Sequence, residues 1–267
     1  MAAGAHLHGL LAPLKTLART TSEAILAVYR QDFQVTTKAD RSPLTMADMT
    51  AHHLLLDGLQ RLLPGVPVIS EEAPAPPFSE RRHWLRLWLV DPLDGTKGFV
   101  RRNGEFCISI ALIEAGLPVL GLILEPVTGI IYHAHRGGGA HREDPGQPPR
   151  RIHTRPCPSR PVVAGSRHPG ERLRRFLAAL GPHDYLSKHS ALKSCLVAEG
   201  RVDVHVRFGK TGEWDTAAAQ ILLEEAGGGL TDHKMLQLRY NTRESLINPE
   251  FLVFGDPGRD WHRYLPA

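Results

Sequence analysis

Apolar residues recur at helical spacing from Leu7 to Tyr29, which predicts a first amphipathic helix. A polar loop, KADRSPLT, follows, and Pro43 keeps the residue before it out of helix. Thr45 with Asp48 three residues on resembles a capping box, and the run MTAHHLLLDGLQRLL behind it predicts a second helix ending before Pro64-Gly65. VPVIS then reads as a short strand running into Glu71-Glu72, and after a Pro-rich loop WLRLWLV reads as a strand buried on both faces. From Phe106 to His135, CISIALI, VLGLIL and IIYHAH alternate with the turns EAGLP and EPVTG, which predicts a three-stranded antiparallel meander.

The stretch RGGGAHREDPGQPPRR breaks this pattern and marks the expected boundary between residues 1–136 and 137–267, two subdomains of one compact unit with the active site between them. Beyond it, PVVAGS and VDVHVRF read as strands. ERLRRFLAAL, LKSCLVAEG and TAAAQILLEEAGG read as helices, the last ended by glycines. Helices, then an antiparallel sheet, then alternating strand and helix predict an α+β / α/β fold of two sheets in helical layers.

Composition changes this picture little. The 267 residues, 42% hydrophobic and 22% charged, are those of a soluble globular protein, and no uncharged apolar window is long enough to span a membrane. The apolar N-terminus lacks a preceding basic segment and reads as a helix rather than an export signal. Three cysteines, none in a CxxC pair, argue for a reducing cytoplasm and against structural zinc. A net charge of +4, with no dense basic run, suits a small polyanionic substrate and excludes a nucleic-acid arm.

The chemistry is concentrated in LVDPLDGTKGF. An apolar strand delivers Asp91, Pro92 should end its ladder, and Asp94 returns three residues later. Two carboxylates so close repel unless a cation lies between them, and hard oxygen ligands suit magnesium. The Leu93 carbonyl stands between them, and the N–H groups after Asp94 could cradle an anion if they open a helix. Alone, the segment reads more readily as a tight turn between two strands than as a metal site. Two more acidic clusters at element ends, Glu71-Glu72 and Asp215, are what a two- or three-metal hydrolase needs. Other features read as structural: the turn at Gly137–Gly139, the pairs His52-His53 and His133/His135 without a third ligand, and Cys107 in an apolar strand.

SEEA, VDPLDGTKGF and EWDTAA resemble the signature segments of the lithium-sensitive, magnesium-dependent phosphatases related to inositol monophosphatase. KADRSPLTMAD, RRNGEF, CLVAEG, RFGKTGEWDTAAA and YNTRESLINPEF are similar to the CysQ type of 3′(2′),5′-bisphosphate nucleotidase within that superfamily. The resemblance implies a layered α-β-α-β-α fold and hydrolysis of 3′-phosphoadenosine 5′-phosphate, or of its sulfated relative, with roles in sulfur assimilation. It implies two or three Mg2+ ions on Glu71, Asp91, Leu93 (through its carbonyl), Asp94 and Asp215. Gly95 and Thr96 match the phosphate-binding turn, while Asp48 and Thr96 match the pair that positions and deprotonates water attacking the phosphate directly. His168, Ser190, Lys193 and Arg207 match nucleotide contacts. The family's Gly-Ser-Ser-Leu-Lys here reads His189-Ser190-Ala191-Leu192-Lys193, so a glycine is lost. The expected partner is the nucleotide alone, bound by a monomer or homodimer with no obligatory protein partner. Members of this type have been associated with the inner face of the bacterial membrane, and only the first helix is suited to such peripheral contact. An inositol- or sugar-phosphate phosphatase and a non-catalytic relative are the alternatives.

Overall fold

The computed structural model describes residues 2–31, 36–37, 43–44 and 46–266. Helices α1 (Ala2–Tyr29) and α2 (Met46–Leu62) pack side by side, with the short antiparallel pair β1 (Thr36–Thr37) and β2 (Pro43–Leu44) between them in sequence. The expected cap at Thr45 and residues 38–42 of the polar loop lie outside the described residues.

A seven-stranded sheet follows, its strands in sequence order across the sheet. It comprises β3 (Val68–Ser70), β4 (Arg86–Asp94), β5 (Cys107–Glu114), β6 (Leu117–Glu125), β7 (Ile130–His135), β8 (Gly139–Glu143) and β9 (Arg150–Ile152). Only the β3–β4 pair is parallel. Two short helices interrupt the order, α3 (Phe78–Arg81) and α4 (Thr96–Val100). The second sheet contains β10 (Val162–Gly165), β11 (Asp184–Ser187), β12 (Val204–Arg207), β13 (Gly229–Asp232) and β14 (Phe251–Phe254), in the order β11-β10-β12-β14-β13. Helices α5 (Glu171–Leu180), α6 (Leu192–Ala198) and α7 (Ala217–Ala226) connect its strands.

Side-chain alternation explains the layers. Along β4, Trp88 and Val90 join a core with Leu14 and Ile25 of α1 and Leu55 and Leu59 of α2. Leu87 and Leu89, on the other face, join Val197 of α6, Ile221 and Leu222 of α7, and Val253 of the second sheet. A third core, with Phe176, Leu252 and Trp261, seals the far side of the second sheet beneath α5. A strand covered on both faces must be apolar at every position, which is why WLRLWLV carries no clean polar alternation. The result is the expected α-β-α-β-α layering.

Three expectations change. RGGGAHREDPGQPPRR does not end the first sheet: Gly137 and Gly139 adopt φ of 75° and 77°, turning the chain so that β8 and β9 extend it. The division at 136/137 therefore falls inside the sheet, and the polar composition there belongs to short edge strands. Pro92 does not stop the β4–β5 ladder, which shifts register between Asp91 and Asp94 and resumes at Asp94 opposite Cys107. The apolar face of α1, including Leu7, Leu10, Leu11 and Leu14, is buried in the core and is not offered to a membrane. Among the described residues no helix is long and apolar enough to cross one.

Candidate active site

Each acidic residue is delivered by a different backbone device. In the parallel β3–β4 pair Ser70 lies opposite Val90, so the next step along both strands sets Glu71 beside Asp91. The Glu71 N–H donates to the Val90 carbonyl at 3.1 Å, which holds that alignment past the end of β3. Ser70 is fixed in turn: its hydroxyl pairs with His52 Nδ1 of α2 at 2.9 Å and accepts from the Glu72 N–H at 3.4 Å.

The bulge after Asp91 turns the chain so that Asp91 Oδ1 accepts from the Leu93 N–H at 3.0 Å. Gly95 follows with φ 98°, and a Cβ there would lie 2.7 Å from the Glu105 carbonyl oxygen. Only glycine satisfies both the left-handed backbone and that approach. Helix α4 opens at Thr96, whose hydroxyl donates to the Leu93 carbonyl at 3.4 Å.

Asp215 ends a single 3-10 turn, Glu213–Asp215, and its Oδ2 accepts from the Gly212 N–H at 2.7 Å. The turn is pinned from three sides. Ser109 of β5 donates to the Trp214 carbonyl at 3.1 Å, the Asn241 N–H donates to Glu213 Oε2 at 2.7 Å, and the Asn248 amide donates to the Gly212 carbonyl and to Thr216 Oγ1. Asn241 and Asn248 belong to YNTRESLINPEF, to which no role attached on sequence grounds; they anchor the loop that carries Asp215.

Carboxylate oxygens of Glu71, Asp91 and Asp215 lie within 4.8 Å of one another, the one group among the described residues arranged to hold a metal. Desolvation by the surrounding protein, then the neighbouring carboxylates, pushes Glu71 up to about 8, although the residue as a whole is exposed. Asp91 is driven well above the carboxylate range by burial and by Glu71. Burial and Asp94 raise Asp215 to about 7, against the Gly212 N–H. Asp94 is also raised by burial, but the Ala191 N–H and Lys193 oppose the shift. Asp91 Oδ2 is buried without a hydrogen-bond partner. An orphaned buried oxygen and mutually repelling carboxylates are the arrangement a hard divalent cation would satisfy. The donor set fits magnesium.

Asp94 and Asp215 line a cavity of about 150 Å³ together with Ser190, Lys193 and Arg207. Three of the four sequence-derived nucleotide residues thus meet the acidic cluster, while His168 lines a separate groove with Lys97, Arg101 and Arg167. The lost glycine proves tolerable. The left-handed residue of HSALK is Ser190, at φ 59°, and not His189. Lys193 Nζ donates to the Ser190 carbonyl at 2.8 Å, and burial lowers its pKa against the pull of Asp94. Asp48 is buried in the first turn of α2, which lies against β3 and β4. Cys107 is a core residue as expected, but its thiol also donates to Asp94 Oδ2 at 3.6 Å.

His205, Lys210 and Phe251 line the same cavity and were missed by sequence reasoning. In VDVHVRF, His205 reads as one polar position in a strand, and nothing there signals its destination. Its Nε2 lies 3.4 Å from Ser194 Oγ, and burial with the nearby Lys193 and Arg207 keeps the ring neutral. The histidine pairs take structural places: His52 holds Ser70, and His133 stacks on His141 across β7 and β8 at 5.3 Å.

Comparison with known proteins points to one family. The inositol monophosphatase family model matches residues 6–254. The 3′(2′),5′-bisphosphate nucleotidase CysQ of Escherichia coli K12 is 45% identical over 239 residues, covering 89% of this chain and 96% of that protein. CysQ of Haemophilus influenzae is 37% identical over 255 residues, covering 94% and 95%. The crystal structure of CysQ from Bacteroides thetaiotaomicron, a bacterial member of the same family, superposes with a TM-score of 0.80 at 35% identity, covering 93% of this chain and 97% of that one. At 24% identity, the suhB protein of Bartonella henselae shares the fold with a TM-score of 0.79. The chain belongs to the inositol monophosphatase family.

Proposed function

We propose that the protein is a magnesium-dependent phosphatase that removes the 3′-phosphate from 3′-phosphoadenosine 5′-phosphate, giving AMP and phosphate, and that also accepts 3′-phosphoadenylyl sulfate. The observation that carries this reading is the cavity in which Asp94 and Asp215 face Lys193 and Arg207. Two cationic side chains beside a metal-binding acidic cluster provide for a second phosphate, which an inositol monophosphate does not have. The named activity of the relatives in E. coli and H. influenzae, matched over nearly their whole lengths, supports it.

Glu71, Asp91, Asp94, Asp215 and the Leu93 carbonyl would hold two or three magnesium ions. Bound magnesium would neutralise charge on the phosphate and lower the pKa of the attacking water. A phosphomonoester dianion repels nucleophiles, so the protein acts mainly by positioning. Asp48 accepts the water's proton by way of the Thr96 hydroxyl, which turns from the Leu93 carbonyl to do so. The backbone at Gly95 and Thr96 receives the transferred phosphate. Lys193 and Arg207 hold the second phosphate, and Ser190 orients the nucleoside. Three unpaired cysteines favour action in a reducing cytoplasm.

The test is phosphate release from 3′-phosphoadenosine 5′-phosphate and from inositol 1-phosphate, each with and without magnesium. Faster, magnesium-dependent turnover of the nucleotide is expected, with inhibition by lithium. Faster turnover of the inositol ester would overturn the assignment.

A further inference from the structure

Three hollows lie next to one another, each pair of neighbours lined in part by the same residues. The metal-side cavity shares Ser190, Lys193, His205 and Arg207 with a second hollow of about 450 Å³. That hollow shares Ser166 and His189 with a third, a groove of about 750 Å³. In order outward from the acidic cluster come Lys193 and Arg207, then His189, then the lining of this last groove.

The groove is cationic in balance, with three basic side chains against one carboxylate. Lys97 projects from α4, Arg101 caps the C-terminal end of that helix four residues on, and Arg167 faces them from the loop after β10. Among the described residues none of the three forms an ion pair or a side-chain hydrogen bond. The one carboxylate in the lining, Glu105, lies 3.7 Å from His189 Nε2. Some arginines elsewhere are held by carboxylates, as Arg142 is by Asp144 and Glu199, Arg155 by Asp203 and Arg172 by Glu250. Uncompensated positive side chains around a concave surface concentrate anions.

We propose that Lys97, Arg101 and Arg167 form a subsite for a further anionic group, one carried beyond the substrate's second phosphate. The inference rests on the nucleotidase reading above and deepens it. With the scissile phosphate at the acidic cluster and the second phosphate at Lys193 and Arg207, the next hollow in line takes whatever that phosphate bears. A sulfate or a further phosphate, joined to it through an anhydride, satisfies the chemistry, and a neutral extension does not.

The test compares kcat/KM for 3′-phosphoadenosine 5′-phosphate, 3′-phosphoadenylyl sulfate and 3′-phosphoadenosine 5′-diphosphate, in wild type and in the double variant Arg101→Ala/Arg167→Ala. The two extended substrates should lose at least about tenfold more than the unextended one, the size expected for charge-assisted hydrogen bonds to one group. A loss on only one extended substrate assigns the subsite to that group's chemistry. Arg101→Glu should widen the gap, because it sets a repelling charge in the groove. Equal losses on all three substrates, or none, would overturn the subsite while leaving the nucleotidase reading intact. Wild-type protein that turns over inositol 1-phosphate and none of the nucleotides would overturn both.

Discussion

At the scale of single residues, the site is built from groups that are costly to keep together without an ion. Asp94 adds its charge to the cluster while its own carboxylate is held by neighbouring donors. Its Oδ2 accepts from the Ala191 N–H and the Cys107 thiol, and an asparagine can still offer one acceptor there. Asp94→Asn should therefore leave the fold intact and relieve repulsion in the metal-free protein, while lowering kcat by about a thousandfold through loss of a metal ligand. Normal magnesium-dependent turnover by this variant would remove Asp94 from the metal site. Gly95 makes the opposite kind of demand. Its φ of 98° and the 2.7 Å approach of the Glu105 carbonyl mean that Gly95→Ala pays twice, in backbone strain and in displacement of the neighbouring chain. A loss of about 2–3 kcal/mol in denaturant unfolding is expected, with reduced activity. A variant as stable as wild type would mean the turn can relax without cost.

At the scale of elements, α2 and the end of β3 act as one device. Asp48 and His52 stand one turn apart on α2, both buried, and His52 grips the Ser70 hydroxyl immediately before Glu71. His52→Ala should raise the magnesium concentration needed for half-maximal activity several-fold, besides costing about 1–2 kcal/mol of stability. His52→Asn, which can still pair with Ser70, should restore much of the metal response. An unchanged magnesium requirement in His52→Ala would reduce His52 to a packing role. Sequence reading located both elements and not their link. The strand VPVIS and the helix MTAHHLLLDGLQRLL are legible from periodicity, but a bond between residues 52 and 70 leaves no periodic trace. The same holds for Asn241 and Asn248, which hold the Asp215 turn from a segment without helical or strand pattern.

At the scale of the whole molecule, the clustered carboxylates tie stability to pH and to metal. Their folded-state pKa values lie above those of an unfolded chain, with Glu71 at about 8 and Asp215 at about 7. Groups shifted upward stabilise the fold when protonated, and that contribution is lost as pH rises through the folded values. His133, buried and pushed down to about 3, gives a contribution that grows through the ordinary histidine range and is complete above it. Between about pH 6.5 and 9 the carboxylates therefore dominate, and in EDTA Tm should fall across that interval. Added magnesium should raise Tm, and by more at pH 9 than at pH 6.5, since binding needs the carboxylates ionised. A metal-free Tm that climbs over this range would contradict the repulsion inferred at the site.

The sequence by itself determined the helices, most of the strands, the layered architecture and the acidic clusters, because periodicity and strand-end carboxylates are local properties of the chain. It misplaced the end of the first sheet, because short polar edge strands such as β8 and β9 look like loop when the partner strand is not in view. Only the tertiary structure decided which acids share a site. Parallel register sets Glu71 beside Asp91, and contacts from β5 and from the segment around Asn241 and Asn248 bring Asp215 to them across more than a hundred residues. It alone also separated His168 from Ser190, Lys193 and Arg207, and gathered Lys97, Arg101 and Arg167 around one groove. Those outcomes depend on how layers pack, and packing is not written in the spacing of residues along one element.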